Sequence, residues 1–259
     1  MRQTTPQAAQ QLKLSLGGIL FSVVTDDGLN LTVPPAHKAF LVSGGEPDIA
    51  LRAEFGAIPP LELEEVFRTR GLWGLYQSRG KWVLHFCAWE LESSPYKLAV
   101  MEPDFSAGTI YSRTKESGQD NCFNPLNYPL DELLVINFLS SGRGMLVHAC
   151  AVEYQGHGWL FLGTSGAGKS TLASLWKGEP GATLLSDDRI VIREIGNSYR
   201  IYGTPWHGNA EIASPLSAPL SRIFFLAHDS ENRLIPVQGA DVASRLLVRS
   251  FPTSWDGEG

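Results

Sequence analysis

The first 115 residues alternate short apolar runs with turn residues, which is the pattern of a chain built mainly from β-strands. Glycine and polar residues separate the runs and favour hairpins between neighbouring strands. Residues 61–68 fit either a short helix or a strand. The pattern therefore predicts a β-rich N-terminal domain of unknown role over residues 1–115. The predicted strands are 16–24, 39–42, 74–77, 81–88, 96–101 and 109–112.

A polar stretch at residues 114–127 predicts a linker or a domain boundary. After it, Pro129 and an apolar run over residues 130–139 predict a helix that ends before Gly142. Strand-like and helix-like runs then alternate, which predicts a second domain of α/β class over residues 128–259. Its predicted strands are 145–152, 159–162, 182–185, 190–193, 199–202 and 222–227, and its further helices are 169–177 and 240–248.

Composition narrows the class of protein. The chain has 259 residues, is 43% hydrophobic and carries a net charge of −6, which argues against a nucleic-acid-binding surface. Its three cysteines, Cys87, Cys122 and Cys150, are isolated, so we expect neither a disulfide framework nor a zinc site, and a reducing cytoplasm fits best. No apolar run reaches the length of a transmembrane helix, and we therefore expect no membrane partner.

One segment indicates phosphate chemistry. Residues 163–170 fit the pattern G-x-x-x-x-G-K-[ST] in full, after an apolar strand and before a helix. The glycines let the backbone approach phosphate oxygens, the lysine neutralises them, and the Ser170 hydroxyl is suited to hold Mg²⁺. The alternative is a structural glycine-rich turn. The predicted nucleotide-binding residues are Gly163, Thr164, Ser165, Gly166, Ala167, Gly168, Lys169, Ser170 and Thr171.

Two carboxylates follow at the end of the next apolar strand, at Asp187 and Asp188. The helix over 169–177 runs away from the loop and the strand from 182 returns, which brings this pair beside the loop. On an extended backbone the two side chains point in different directions, so one can reach Mg²⁺ while the other faces an acceptor hydroxyl. The alternative is a turn in which Arg189 is a salt-bridge partner.

Two further features lie near the loop in the predicted order of strands. His148 lies in the apolar run over 145–152, 15 residues before Gly163, on a strand that forms a hairpin with the strand leading into the loop. The competing interpretation is that His148 is a buried histidine with a purely structural role. Residues 203–208, Gly-Thr-Pro-Trp-His-Gly, follow a strand and are either a further part of the site or a plain turn over Trp206.

Taken together, His148, the loop over 163–170 and the Asp187–Asp188 pair resemble the catalytic domain of the HPr kinase/phosphorylase family. More distantly, they resemble ATP-dependent phosphoenolpyruvate carboxykinase. Residues 203–208 are similar to a segment of the small HPr kinase-like proteins of bacteria, some of which tailor ribosomally made peptides. The resemblance covers residues 128–252. It implies a P-loop kinase domain of the HPr kinase/phosphoenolpyruvate carboxykinase type, and a chain that continues beyond Gly259.

The resemblance also implies a function. It predicts an ATP- and Mg²⁺-dependent kinase that phosphorylates a Ser or Thr hydroxyl of a protein or peptide, such as a ribosomally made peptide or an HPr-like protein. Asp187 would be the general base, Ser170 and Asp188 would hold Mg²⁺, and His148 would lie near the γ-phosphate. The alternative is a nucleotide-binding regulator or scaffold without turnover. The acceptor, a phosphorylase activity and assembly into a homo-oligomer stay open.

Overall fold

The computed structural model describes residues 10–25, 28–69, 73–87, 95–113 and 122–251. The chain forms two compact units. Of the described residues, 10–14 and 19–134 belong to the first unit, and 15–18 and 135–251 belong to the second. The predicted boundary stretch over residues 114–127 lies partly outside the described residues, and residues 252–259 lie wholly outside them. The domain limits inferred from the sequence therefore stay predictions.

The first unit is built on an eight-stranded sheet with the order β1-β2-β4-β9-β8-β7-β6-β5, and β3 and β10 form a separate parallel pair. Apolar side chains alternate along these strands and form its core. The elements are β1 Gln10–Leu16, β2 Ile19–Thr25, β3 Asn30–Leu31, a 3-10 helix Pro35–Phe40, β4 Ile49–Phe55, β5 Glu64–Arg68, β6 Trp73–Ser78, β7 Lys81–Phe86, β8 Lys97–Met101, β9 Ala107–Ser112 and β10 Cys122–Phe123.

Two predictions in this part differ from the structure. The run over 16–24 is split by Gly17 and Gly18, whose φ angles of 60° and 73° suit a two-residue turn between β1 and β2. The predicted strand at 39–42 is wrong, because Ala39 and Phe40 end a 3-10 helix that begins at Pro35, where a fixed φ favours a helical turn.

A buried charged group lies at the edge of this core. Lys97 is only 2% exposed and its Nζ donates to the carbonyl of Pro125 at 3.0 Å. The fully buried Asp131 accepts from Nε2 of His37 at 2.7 Å. Burial lowers the pKa of Lys97 to about 8, against the opposing effect of the Asp131 carboxylate. A lysine in this setting makes stability depend on pH.

We expect the free energy of unfolding to rise as the pH is raised above about 8. Folded Lys97 then releases its proton, whereas the unfolded chain keeps it up to the ordinary pKa of 10.5, so that the unfolded state binds more protons. The gain is about 2 kcal/mol between pH 8 and about 9.5, at 1.4 kcal/mol per unit. Urea unfolding at several pH values measures it. The Lys97→Met variant should lack this increment, and parallel profiles for the two proteins would contradict the assignment.

The second unit holds the remaining strands and most of the helical residues. Helix α1 begins in the first unit and ends in the second, and α2 and α3 lie where the sequence predicts them. The elements are α1 Leu130–Ser140, β11 Met145–Tyr154, β12 His157–Leu162, α2 Lys169–Lys177, β13 Ala182–Ser186, β14 Arg189–Ile195, β15 Ser198–Tyr202, β16 Ser217–Phe225 and α3 Ala240–Leu247.

These strands form a closed barrel, and the predicted fold class of an α/β P-loop kinase is therefore wrong. β11 pairs with both β12 and β14, and this closes a five-stranded ring in the order β12-β16-β15-β14-β11. The described structure is 44% strand and 15% helix. Four of the five neighbouring pairs in this ring are antiparallel, where an α/β fold would have parallel strands joined by helical crossovers, and within the ring only β12 and β16 pair in parallel. The sequence pattern located the strands but not their pairing.

The barrel interior and the α2 face have separate apolar clusters. Leu160, Leu162 and Ile190 are fully buried inside the ring. On the other side, Phe161 and Cys150 pack with Ala173 of α2. This packing fixes α2, and the loop before it, against β11 and β12. Among the described residues, no helix has the length and apolar character needed to cross a membrane.

Candidate functional site

The topology of β11 brings the predicted site residues together. β12 and β13 both run antiparallel to β11, with Ala149 opposite Leu162 and Ala151 opposite Ser186. The C-terminal ends of β12 and β13 therefore meet the middle of β11, next to His148. The glycine-rich loop follows one of these ends and the Asp187–Asp188 pair follows the other.

The loop over residues 163–170, called the phosphate loop below, has the backbone conformation that its glycines allow. Gly166 and Gly168 have φ angles of 80° and 96°, in the region that other residues avoid. Left-handed residues on either side of Ala167 turn successive N–H groups toward one side, as in an anion-binding nest. At Gly163 a Cβ atom would lie 2.7 Å from the Cβ of Ala167. The loop then leads into the N-terminus of α2, which favours anions.

Lys169 is folded back over the phosphate loop. Its Nζ donates to the carbonyls of Gly163 at 2.8 Å and Thr164 at 3.1 Å, and the residue is only 7% exposed. Burial lowers the pKa of its ammonium group, and the Asp188 carboxylate acts against that effect. The ammonium group thus lies at the loop, where two backbone carbonyls accept its hydrogen bonds. A phosphate oxygen of a bound nucleotide can take the place of these carbonyls as the acceptor.

The Asp187 carboxylate anchors a loop. It is 3% exposed and accepts backbone N–H groups from Gly208 at 3.0 Å, from Ala210 at 2.9 Å and from Ile212 at 3.4 Å. Both of its oxygens are used in this way. The segment that the sequence singled out at 203–208 is therefore tied to the acidic pair, and Trp206 beneath it is buried.

The Asp188 carboxylate has side-chain partners instead. Its Oδ1 lies 2.8 Å from Nδ1 of His148 and its Oδ2 lies 2.5 Å from Nη1 of Arg189. The salt bridge to Arg189 that the alternative interpretation expected is thus present, together with the histidine. As the sequence predicted, the two adjacent carboxylates have different surroundings.

The charge of Asp188 follows from its contacts. Burial acts to raise the pKa of Asp188, but the hydrogen bond from His148 and the positive charges of Arg189 and Lys169 outweigh it, and the pKa lies below its ordinary value. Asp188 is therefore ionised at neutral pH. Nδ1 of His148 also lies 3.1 Å from the backbone carbonyl of Asp188. Two acceptor oxygens of Asp188 thus lie at Nδ1, and Nη1 of Arg189 lies 3.3 Å from the same nitrogen, so a proton placed on Nδ1 bonds to Asp188 and leaves Nε2 to accept.

These groups line one cleft of about 390 Å³. Of the predicted residues, Gly163 and Thr164 line a neighbouring cleft instead, and Ala167 lines neither. Gly208, the last residue of the 203–208 segment that the sequence singled out, also lines the cleft, and Asn209 is a cleft residue that the sequence did not indicate. The predicted residues that the cleft brings together are His148, Ser165, Gly166, Gly168, Lys169, Ser170, Thr171, Asp187 and Asp188.

His228 is a further residue that the sequence did not indicate. It follows β16, and its Nε2 lies 2.8 Å from the carbonyl oxygen of Gly166. β12 and β16 are parallel, with Leu162 opposite Phe225, so the segments that follow both strands leave the barrel at the same end. Sixty-two positions separate these two residues, and only the strand pairing could have revealed the contact.

The residues present suit a magnesium ion that is held mainly by phosphate oxygens. Among the residues that the structure describes, no three His, Cys, Asp or Glu side chains are grouped as a metal site. Magnesium at a nucleotide site commonly takes only one or two protein ligands, with the rest from phosphate and water. The Ser170 hydroxyl and the ionised Asp188 supply oxygen donors in the same cleft.

Comparison with known proteins corrects the family suggested by the motifs. Residues 130–258, just short of half of the chain, match the model of the ScmC family, described as SynChlorMet cassette protein ScmC. No curated protein matches the chain. The match is not to an HPr kinase family and no HPr kinase domain is found, so the resemblance to HPr kinase/phosphorylase is wrong as a family assignment. It depended on short phosphate-site segments, and such sites recur on unrelated folds.

Proposed function

We propose that this protein is an ATP- and Mg²⁺-dependent kinase that transfers the γ-phosphoryl group to a Ser or Thr hydroxyl of a protein or peptide. The observation that carries the proposal is the pair formed by His148 and Asp188, which faces the same cleft as Lys169 and the phosphate loop. A protein that only bound nucleotide would need the loop and the lysine, but not an oriented histidine opposite them.

The nucleotide side of the proposal depends on the phosphate loop. Its backbone N–H groups, the N-terminus of α2 and Lys169 would bind the phosphate oxygens. Ser170 and Asp188 would hold Mg²⁺, which when bound would neutralise phosphate charge. The Asp188 carboxylate has lone pairs beyond those that accept hydrogen bonds from His148 and Arg189, so it can hold His148 and bind Mg²⁺ at the same time.

The acceptor side depends on His148. The acceptor oxygen would form a bond to the γ-phosphorus while the bond from that phosphorus to the β–γ bridging oxygen breaks, and ADP leaves. The hydroxyl proton would pass to Nε2 of His148, with Asp188 holding the opposite nitrogen. The sequence favoured Asp187 as the base. We assign that role to His148 in this proposal, because backbone N–H groups occupy both oxygens of Asp187.

Transfer of label from γ-labelled ATP to a set of synthetic peptides tests the proposal. Each peptide carries one Ser or Thr, and a matched peptide carries Ala in its place. We expect label only on the hydroxyl-bearing peptides, and a loss of about 10²–10⁴-fold in the His148→Gln variant. His157→Gln is the control, because His157 lies at the start of β12 and contacts Ser221.

ADP formation is measured in the same reactions. ATP binding without transfer or ADP formation would contradict the kinase and favour a nucleotide-binding regulator. ADP formation without transfer to any peptide would indicate an ATPase. Equal rates of label transfer in wild type and His148→Gln would be consistent with a kinase but would contradict a role for His148 as the general base.

A further inference from the structure

A second cleft, of about 470 Å³, adjoins the phosphate cleft and shares His148 and Asp188 with it. Its other walls are the start of the phosphate loop, Arg189, and the segment over residues 248–251, which follows α3. Lys169 and Ser170 line only the first cleft. The His148–Asp188 pair is therefore shared between the cleft that holds Lys169 and Ser170 and this second cleft.

The segment over 249–251 is held in place as an added strand. His148 N donates to the carbonyl of Arg249 at 2.8 Å, and Phe251 N donates to the carbonyl of Leu146 at 2.9 Å. The Arg189 guanidinium lies 4.3 Å from the centre of the Phe251 ring. Backbone hydrogen bonds to β11 thus fix the side chains of this segment next to the proposed base.

Arg249 is a cation without a carboxylate partner in this cleft. Its Nη1 donates to the carbonyl of Arg245 at 2.8 Å, whereas its Nε is buried and has no hydrogen-bond partner among the described residues. Within the same part of the chain, no Asp or Glu lies within ion-pair distance of it. Its guanidinium also lies 5.7 Å from the centre of the Phe225 ring, a contact that leaves the charge without a carboxylate among the described residues, so it can bind an anionic group of a bound molecule.

On the basis of the proposed function, we infer that the second cleft is the acceptor site and that it takes a hydroxyl residue with an acidic residue next to it. Arg249 binds the acceptor's carboxylate, and the exposed side chain of Val248 and the Phe251 ring give the peptide an apolar wall. The hydroxyl then lies at His148, which both clefts share. A carboxylate bound by a guanidinium fixes the orientation of the acceptor as well as adding affinity.

Position-scanning peptides test this inference. Each peptide mixture has a central Ser or Thr and has Asp, Ala or Lys fixed at one flanking position, and transfer from γ-labelled ATP is measured. We expect transfer at one or more positions to be at least about tenfold faster with Asp than with Ala, which is the size of one charge-assisted hydrogen bond. Arg249→Gln should abolish this preference, and Arg249→Glu should shift it toward Lys. Arg245→Gln is the control, since its side chain pairs with Asp241 outside the cleft.

The outcomes separate the two proposals. Transfer without any preference for acid, or a preference that Arg249→Gln leaves intact, overturns the acceptor site and leaves the kinase in place. Loss of transfer in Arg249→Gln by the same factor for Asp and Ala peptides shows that the arginine acts on the phosphoryl group, and it also overturns the acceptor site. Transfer to no peptide at all overturns the proposed function, and the acceptor site with it.

Discussion

Asp188→Asn should lower the single-turnover rate of phosphoryl transfer by about 10²–10⁴-fold, the usual contribution of a general base. The neutral amide removes the negative charge that lies 2.8 Å from Nδ1 of His148, and it also removes a carboxylate ligand for Mg²⁺. The fold should change little, because Asp188 binds side chains at the cleft and not the backbone of a second loop. Rapid-quench assays at several Mg²⁺ concentrations, with thermal melting alongside, measure both effects.

Asp187→Asn is the matched control, and it should behave in the opposite way. Asparagine keeps one acceptor oxygen, so its NH₂ group faces either the N–H of Ala210 or the N–H groups of Gly208 and Ile212; a buried donor is then left unpaired, which costs about 1–3 kcal/mol of stability. Transfer should fall much less than in Asp188→Asn at temperatures where the variant is folded. If a folded Asp187→Asn variant loses phosphoryl transfer as completely as Asp188→Asn does, Asp187 would be the general base in place of His148. Wild-type rates in both variants would contradict any catalytic role for the pair.

The Lys169→Met variant is expected to bind ATP about 10-fold to 100-fold more weakly, as judged from 1.5–3 kcal/mol for a hydrogen bond to a charged group. The ammonium group lies over the phosphate loop, whereas the nest of N–H groups belongs to the backbone and stays in the variant. Methionine fills the same buried space without the charge. Titration calorimetry with ATP and with adenosine measures the loss, which should be confined to ATP.

Lys177→Met provides the comparison for this prediction. Lys177 ends the same helix that Lys169 begins, and it is exposed away from the cleft. Its replacement should leave ATP affinity unchanged, which separates a local contact from a general loss of positive charge on α2. Equal affinities for ATP in wild type and Lys169→Met would argue against phosphate binding at this loop.

The sequence predicted most elements of the second unit but not their arrangement. α2 begins at Lys169 and ends at Lys177 as predicted, because its limits depend on local signals such as glycine and helix propensity. The barrel depends on β11 pairing with both β12 and β14, and strand pairing leaves little trace in a local pattern. In the first unit, β4 was missed, and Ala39 and Phe40 at the end of the 3-10 helix were taken for part of a strand, since short apolar runs fit several structures.

For the site, the sequence predicted most of the residues but not their contacts. The phosphate loop, the Asp pair and His148 carry recognisable residue types, and all contribute to one cleft. The separate roles of the two aspartates could not be predicted, because they depend on which oxygen meets the amide of Gly208 and which meets His148. His228 and Arg249 lie far along the chain from their partners, and neither has a motif of its own.

The parallel pairing of β12 with β16 has a consequence for the order of events during synthesis. β12 precedes β16 by more than fifty residues, yet the carbonyl of Gly166 is held by His228, which follows β16. A nascent chain that has only emerged as far as α2 contains the whole glycine-rich motif without the strand beside it. The ability to bind nucleotide should therefore arise late, when β16 pairs with β12 and closes the ring. Contacts between residues so distant in sequence are among the slowest to form.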